Sequence, residues 1–164
     1  GPMSEATYDD LAGVVDLFGA LTREELATAL GELAFKQGRE TDADALSDTI
    51  SDAVDAYYLV PYEDDETDAE LLTVGPMAFP TLPERAEDLP HILDYPTREV
   101  PRGELATQVE ARLRAAAASA VQSADEDEIE RLLDVTYDLE AWADTDVGSI
   151  RERLDAALDA EGQA

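Results

Sequence analysis

The sequence predicts a mostly α-helical protein with one short β-hairpin and a proline-rich middle. Three observations carry this. Apolar residues recur at helical spacing through the first and last thirds of the chain, and the period shifts toward strand formers between Tyr57 and Val74. Six of the eight prolines then fall between Gly75 and Pro101. Each proline lacks an N–H and restrains the residue before it, so no long helix can run through that stretch. The division that follows is a helical domain closing on a hairpin over residues 3–74, an ordered connector over 75–101 and a helical region over 102–160. Gly1 and Pro2, ahead of Met3, read as a cleavage scar and are set aside. A chain of about 150 residues can bury about two-thirds of its unfolded surface, enough for a core.

Leu11, Val14, Val15 and Phe18 lie at i, i+3, i+4 and i+7, one face of a first helix. Thr22 with Glu25 three residues on forms a capping box for a second, whose stripe is Leu26, Leu30 and Leu33 and whose stop is Gly38. Thr41 and Asp42 open a third helix, with Leu46, Ile50, Ala53, Val54 and Tyr57 on its apolar face. Tyr57 to Tyr62 and Leu71 to Val74 are the two strands, joined by the acidic loop Glu63 to Glu70. Three helices followed by a two-stranded ribbon is the order of a winged helix-turn-helix domain, so the first domain is expected to be winged-helix-like.

The connector carries Met77, Phe79, Leu82, Leu89, Ile92, Leu93 and Tyr95, too apolar for a solvated linker, and is expected to lie as a strap with one helical turn near Glu84 to Leu89. Beyond it, Leu105, Val109, Leu113 and Ala116 form a stripe, and Ser123 with Glu126 makes a second capping box. Ile129, Leu132, Leu133 and Tyr137 follow. Ile150, Leu154, Ala157 and Leu158 mark a last helix.

Forty Asp and Glu stand against eleven Lys and Arg, a formal net charge of -29, and Lys36 is the only lysine. Such imbalance ordinarily opposes collapse, yet 45% of the residues are hydrophobic and fall at helical spacings. A dense carboxylate surface with almost no lysine fits a salt-in halophile: at 1 M salt the Debye length is about 3 Å, which screens repulsion between surface carboxylates. Loose potassium association with that surface is expected. With no cysteine, disulfides, thiolate nucleophiles and Cys-based zinc sites are excluded. No apolar run approaches the roughly 20 residues that span a bilayer, and no secretory signal is evident, so the expected place is the cytoplasm.

The segments LAGVVDLFGALTREELATALGELAFKQG, DAYYLV and FPTLPERAEDLPHIL together resemble an uncharacterised family of haloarchaeal proteins. The resemblance covers most of the chain. It implies the halophilic host and carries no activity.

Enzyme signatures are missing from the sequence. His91 is the only histidine, and its sequence neighbours Asp88 and Asp94 are what chance supplies in so acidic a chain. Carboxylate pairs are everywhere and none is singled out. The loop 63–70 has calcium-type ligands without the glycine and alternation of an EF-hand, and there is no GxGxxG, GK[ST] or Gly-x-Ser-x-Gly. No catalytic residue, metal site or cofactor is expected.

DNA binding is the natural role of a winged helix, but the third helix presents Asp44, Asp48, Asp52 and Asp55 and has no Arg, Lys, Asn or Gln between Asp42 and Val60. The wing tip is equally acidic. The exception to the acidity lies between Thr97 and Ala124, where Arg98, Arg102, Arg112 and Arg114 stand against Glu99, Glu104 and Glu110. That segment fits either a central core helix or a contact face. The function expected is a non-enzymatic regulatory or adaptor protein binding another protein or itself, through contacts drawn from Tyr57, Tyr58, Phe79, Tyr95 and Trp142. The alternative is a DNA-associated regulator using the four arginines in a non-standard pose.

Overall fold

A computed structural model describes residues 5–64 and 69–162. It is mostly helical, with a small three-stranded antiparallel sheet. The chain divides into two compact units, one ending at Val100 and the other starting at Pro101.

In the first unit, α1 (Glu5–Phe18) buries Leu11, Val14, Val15 and Phe18, the face set by their spacing. It stops at Gly19, whose φ of 83° is left-handed; a Cβ there would also sit 1.9 Å from the Arg98 carbonyl oxygen. The chain then forms β1 (Leu21–Thr22), a strand absent from the sequence expectation, which takes Thr22 only as a helix cap. Two residues are too few to display an alternation, so only the partner strand reveals it. Thr22 also caps α2 (Arg23–Lys36): its Oγ1 accepts from the Glu25 N–H at 3.1 Å, and its own N–H donates to Glu25 Oε1 at 2.9 Å. Gly38, with φ 73°, follows the helix end.

Asp42 caps α3 (Ala43–Asp55) through the Asp44 N–H, and Ile50 and Ala53 are its buried apolar residues, with Leu46 and Val54 half-buried. The first strand expected from Tyr57 begins later. Tyr57 is left-handed at φ 65°, its N–H donates to the Val54 carbonyl, and the Tyr58 N–H donates to that of Ala53. This paired closure of a helix end favours glycine. Here a tyrosine takes it, and burial of the ring offsets a strain of about 1–2 kcal/mol.

β2 (Leu59–Glu63) and β3 (Glu70–Val74) pair antiparallel from Leu59↔Val74 to Glu63↔Glu70, and β1 adds to the far side of β3 in the order β1-β3-β2. Pro61 is tolerated because β2 is an edge strand. Of the acidic loop, Asp65, Glu66, Thr67 and Asp68 lie outside the described residues.

Residues 75–100 wrap the same unit as a strap. The Phe79 N–H donates to Asp9 Oδ1 (2.9 Å), the Thr81 N–H to the Asp9 carbonyl (3.1 Å) and Thr81 Oγ1 to Asp10 Oδ1 (2.7 Å). At the crossing, Gly13 leaves no room for a side chain: a Cβ would stand 1.8 Å from the Thr81 carbonyl oxygen. A 3-10 turn (Ala86–Asp88) and the single turn α4 (Leu89–Ile92) bury Ala86 and Leu89. Tyr95 meets Phe18 edge-on with ring centroids 5.9 Å apart.

The second unit is three helices, α5 (Arg102–Ser123), α6 (Glu126–Trp142) and α7 (Gly148–Gly162). Leu105, Val109 and Leu113 of α5 are buried as their spacing implies, but Ala117 and Ala120 continue the stripe in place of Ala116. The expected Ser123 cap is corrected as well. Ser123 stays in α5 with its hydroxyl on the Ser119 carbonyl (2.8 Å), Ala124 turns left-handed, and Asp125 caps α6 through the Glu128 N–H (3.2 Å). Serine competes well for a carbonyl one turn back, and aspartate is as good a cap. Ile129, Leu132, Val135 and Leu139 of α6 and Ile150 and Leu154 of α7 complete the interior.

Candidate interaction surfaces

The expected contact residues take different environments once their side chains are placed. Tyr57 is 1% exposed and Tyr58 is also buried, its ring 5.2 Å from that of Tyr8, so both are interior groups rather than contact groups. Tyr95 is half-buried against Phe18. Trp142 lies in the second unit beneath the Arg102 guanidinium, 4.3 Å from the ring centroid. Phe79 alone of the five is fully presented, 75% exposed, on a stretch of strap pinned by Asp9 and Asp10.

The four arginines do not share a surface role. Arg98 belongs to the first unit and is consumed by its fold: Nη1 donates to Glu25 Oε1 (2.6 Å) and the Ala20 carbonyl (3.1 Å), Nη2 to Glu25 Oε2 (3.2 Å). Burial pushes the Glu25 carboxyl up, but the hydrogen bonds from Arg98 and the Thr22 backbone outweigh it and hold the group below the usual glutamate range. Arg114 pairs with Glu110 one turn earlier (3.0 Å), and Glu110 also accepts from Thr145 Oγ1 (3.1 Å). Arg102 covers Trp142, and Arg112 is half-buried.

A second polar knot joins α6 to α7. Arg151 lies 4.0 Å over the Tyr137 ring, donates from Nε to Thr136 Oγ1 at 3.1 Å and pairs with Glu140, which in turn accepts the Val147 N–H at 3.0 Å. Hydrogen bonds from Arg151 and Val147 lower the Glu140 carboxyl, and the bond to Glu140 raises the guanidinium. This is a structural clasp. On the same helix, burial and then the neighbouring Asp134 push Asp138 up.

The outer face of α3 is as acidic as its sequence implies, with Asp44, Asp48, Asp52 and Asp55 all exposed. Burial, then Asp52 and Asp55, push the nearby Tyr8 phenol up.

A groove of about 790 Å³ lies among α1, the α2–α3 turn and the strap of the first unit. Leu11, Leu30, Leu33 and Leu46 form its apolar lining, and Leu82 of the strap, 54% exposed, lines it as well. Asp10, Glu40, Asp42 and Glu84 edge it, with Arg39 the single rim cation. The Gln37 amide ties the α2 end to the strap at the Glu84 carbonyl (2.8 Å), and Arg39 rests on the Gln37 side-chain oxygen. The sequence reading missed this groove, since its walls come from four separate segments. It also passed over Phe35, 78% exposed on α2, although that residue stands half a turn from the Leu26, Leu30 and Leu33 stripe.

His91 is exposed, and among the described residues no group of three or more His, Asp or Glu is placed to hold a metal ion. No described helix is long and apolar enough to cross a membrane.

A folded helical chain with a small sheet and an apolar cleft defines the class. A family model described as a family of unknown function (DUF7109) matches residues 9–159, and the chain belongs to that family. Neither the curated proteins nor the solved structures gave a match.

Proposed function

We propose that this chain is a non-enzymatic regulatory or adaptor protein of a salt-in halophile's cytoplasm, acting by binding another protein. The observation that carries the reading is Phe79. A large aromatic ring held 75% exposed on a backbone anchored by hydrogen bonds is a preorganised contact, because little ordering entropy is left to lose on binding. Phe35, also exposed, adds a second aromatic on the same unit.

The first unit reads as winged-helix-like: its order α1-β1-α2-α3-β2-β3 and its small sheet support that description. A nucleic-acid role gains no support from its electrostatics. Four aspartates line the exposed face of α3, and Arg98 and Arg114 already carry carboxylate partners.

The test is crosslinked affinity purification from the native host in molar KCl, with wild-type and Phe79→Ala baits run in parallel. Each eluate is split for mass spectrometry and for sequencing of recovered DNA. A dominant protein that the wild type retains and Phe79→Ala loses supports the reading. Discrete enriched DNA sites, or a partner set indifferent to Phe79, overturn it.

A further inference from the structure

We propose that the groove among α1, the α2–α3 turn and the strap is a docking site for one amphipathic helix of a partner protein, with apolar residues at i, i+3 or i+4, and i+7 and with arginine or lysine along both flanks. The proposal rests on the adaptor reading above and names the chemistry of the partner.

Shape and composition argue for a helix. At about 790 Å³ the groove lies within the range of clefts that take ordered ligands, and it is an open trough with an apolar floor of leucines from three different segments. Helical walls present ridges and grooves that accept side chains spaced by one turn, the helix-in-groove mode of peptide recognition. A peptide that adds as a β-strand would need a sheet edge. The sheet's edges are β1 and β2, and neither contributes to the groove.

Charge argues for cationic flanks. Asp10, Glu40, Asp42 and Glu84 surround the floor against Arg39 alone, so the rim carries a net charge of three negatives (four against one). In molar salt only charges in direct contact are felt, because the Debye length falls to about 3 Å. Steering from a distance is therefore weak, and selectivity must come from arginine or lysine touching these carboxylates as the apolar face seats. The same rim rejects acidic helices. This disfavours a second copy of a chain with net charge -29 as the occupant.

Leu82 is the anchor to test. It lines the groove, is 54% exposed and can be changed without opening the core.

The experiment uses the full chain in molar KCl and three labelled synthetic peptides followed by fluorescence anisotropy. One is a Leu/Arg amphipathic helix, the second a scramble of the same composition without an apolar face, and the third a Leu/Glu helix of the same pattern. Leucine methyl NMR maps the contact. The Leu/Arg helix is expected to bind, to shift the methyls of Leu11, Leu33 and Leu46, and to bind about tenfold or more tightly than either other peptide. Leu82→Glu is expected to weaken it by a similar factor while circular dichroism and Tm stay unchanged. If Leu82→Glu unfolds, the surface pair Glu40→Lys and Glu84→Lys replaces it and must also weaken binding.

Equal binding of the scramble, methyl shifts confined to other leucines, or a dimer in sedimentation that Leu82→Glu dissolves would each overturn the proposal. The two readings separate. A Phe79-dependent partner with no peptide in the groove sinks this inference alone. Groove binding with no Phe79-dependent partner sinks the Phe79 argument and leaves the groove standing.

Discussion

Replacing Arg98 by methionine keeps most of the side chain's bulk and removes three hydrogen bonds, two to the Glu25 carboxylate and one to the Ala20 carbonyl. The strap's own backbone bond, from the Arg98 N–H to the Phe18 carbonyl at 2.9 Å, survives the change. Removing one partner of a buried pair costs about 3–5 kcal/mol. The Arg98 and Glu25 side chains are 24% and 18% exposed, so water recovers part of that, and about 2 kcal/mol is the expected loss. For a unit of this size that lowers Tm by about 8–16 °C.

Glu25→Gln separates the two roles of Glu25. Glutamine at that position can still receive the Thr22 N–H, so only the charge is lost and the effect should be smaller than that of Glu25→Ala. The pH dependence has a definite sign. The folded Glu25 carboxyl is held below its ordinary range, so its contribution is present above the unfolded value of about 4.3 and is lost as pH falls through the lower folded value. Wild type and Glu25→Gln should therefore converge in stability as pH falls below the ordinary glutamate range. Thermal denaturation followed by circular dichroism in molar KCl, across that pH range, reads all of this. A partly buried pair is screened less than a surface one, so the loss should persist at high salt. A cost below about 0.5 kcal/mol for Arg98→Met would refute the latch, leaving Leu89 and Tyr95 to hold the strap by apolar contact.

Three other outcomes are expected. Gly13→Ala should destabilise by about 2 kcal/mol or more and raise hydrogen exchange at residues 79–82, because the new Cβ meets backbone rather than a movable side chain. Thr136→Val should cost about 1 kcal/mol by equilibrium unfolding, since the buried hydroxyl links the Leu133 carbonyl to Arg151 and valine keeps only the shape. Helical circular dichroism at 222 nm should fall on dialysis into dilute buffer, where the Debye length grows past about 10 Å and a net charge of -29 is no longer screened; full retention of the signal would overturn the halophile account.

Local chemistry was legible in the residues themselves. The stripe Leu11, Val14, Val15 and Phe18, the Thr22–Glu25 capping box and the Asp42 start of α3 each involve residues within two turns of one another, and periodicity or capping preference suffices for such features. Errors arose where two local choices were close in energy. Ser123 and Asp125 are both good caps, and Ala116 and Ala117 differ by only a hundred degrees around the helix.

What tertiary structure decided was everything that depends on distant segments. Leu21 and Thr22 become a strand only because Leu72 and Leu71 stand opposite, Tyr57 goes inside because its turn closes under Gly75, and Arg98 is a latch because Glu25 lies 73 positions away in sequence. The groove is of the same kind: the pattern that makes Leu30 and Leu33 a stripe says which face of α2 is apolar, but not that this face lines a groove together with Leu82. Periodicity records which side chains avoid water, whereas a cleft is set by how closely separate segments approach, and at the crossing of α1 and the strap that approach depends on Gly13, where a Cβ would meet the Thr81 backbone.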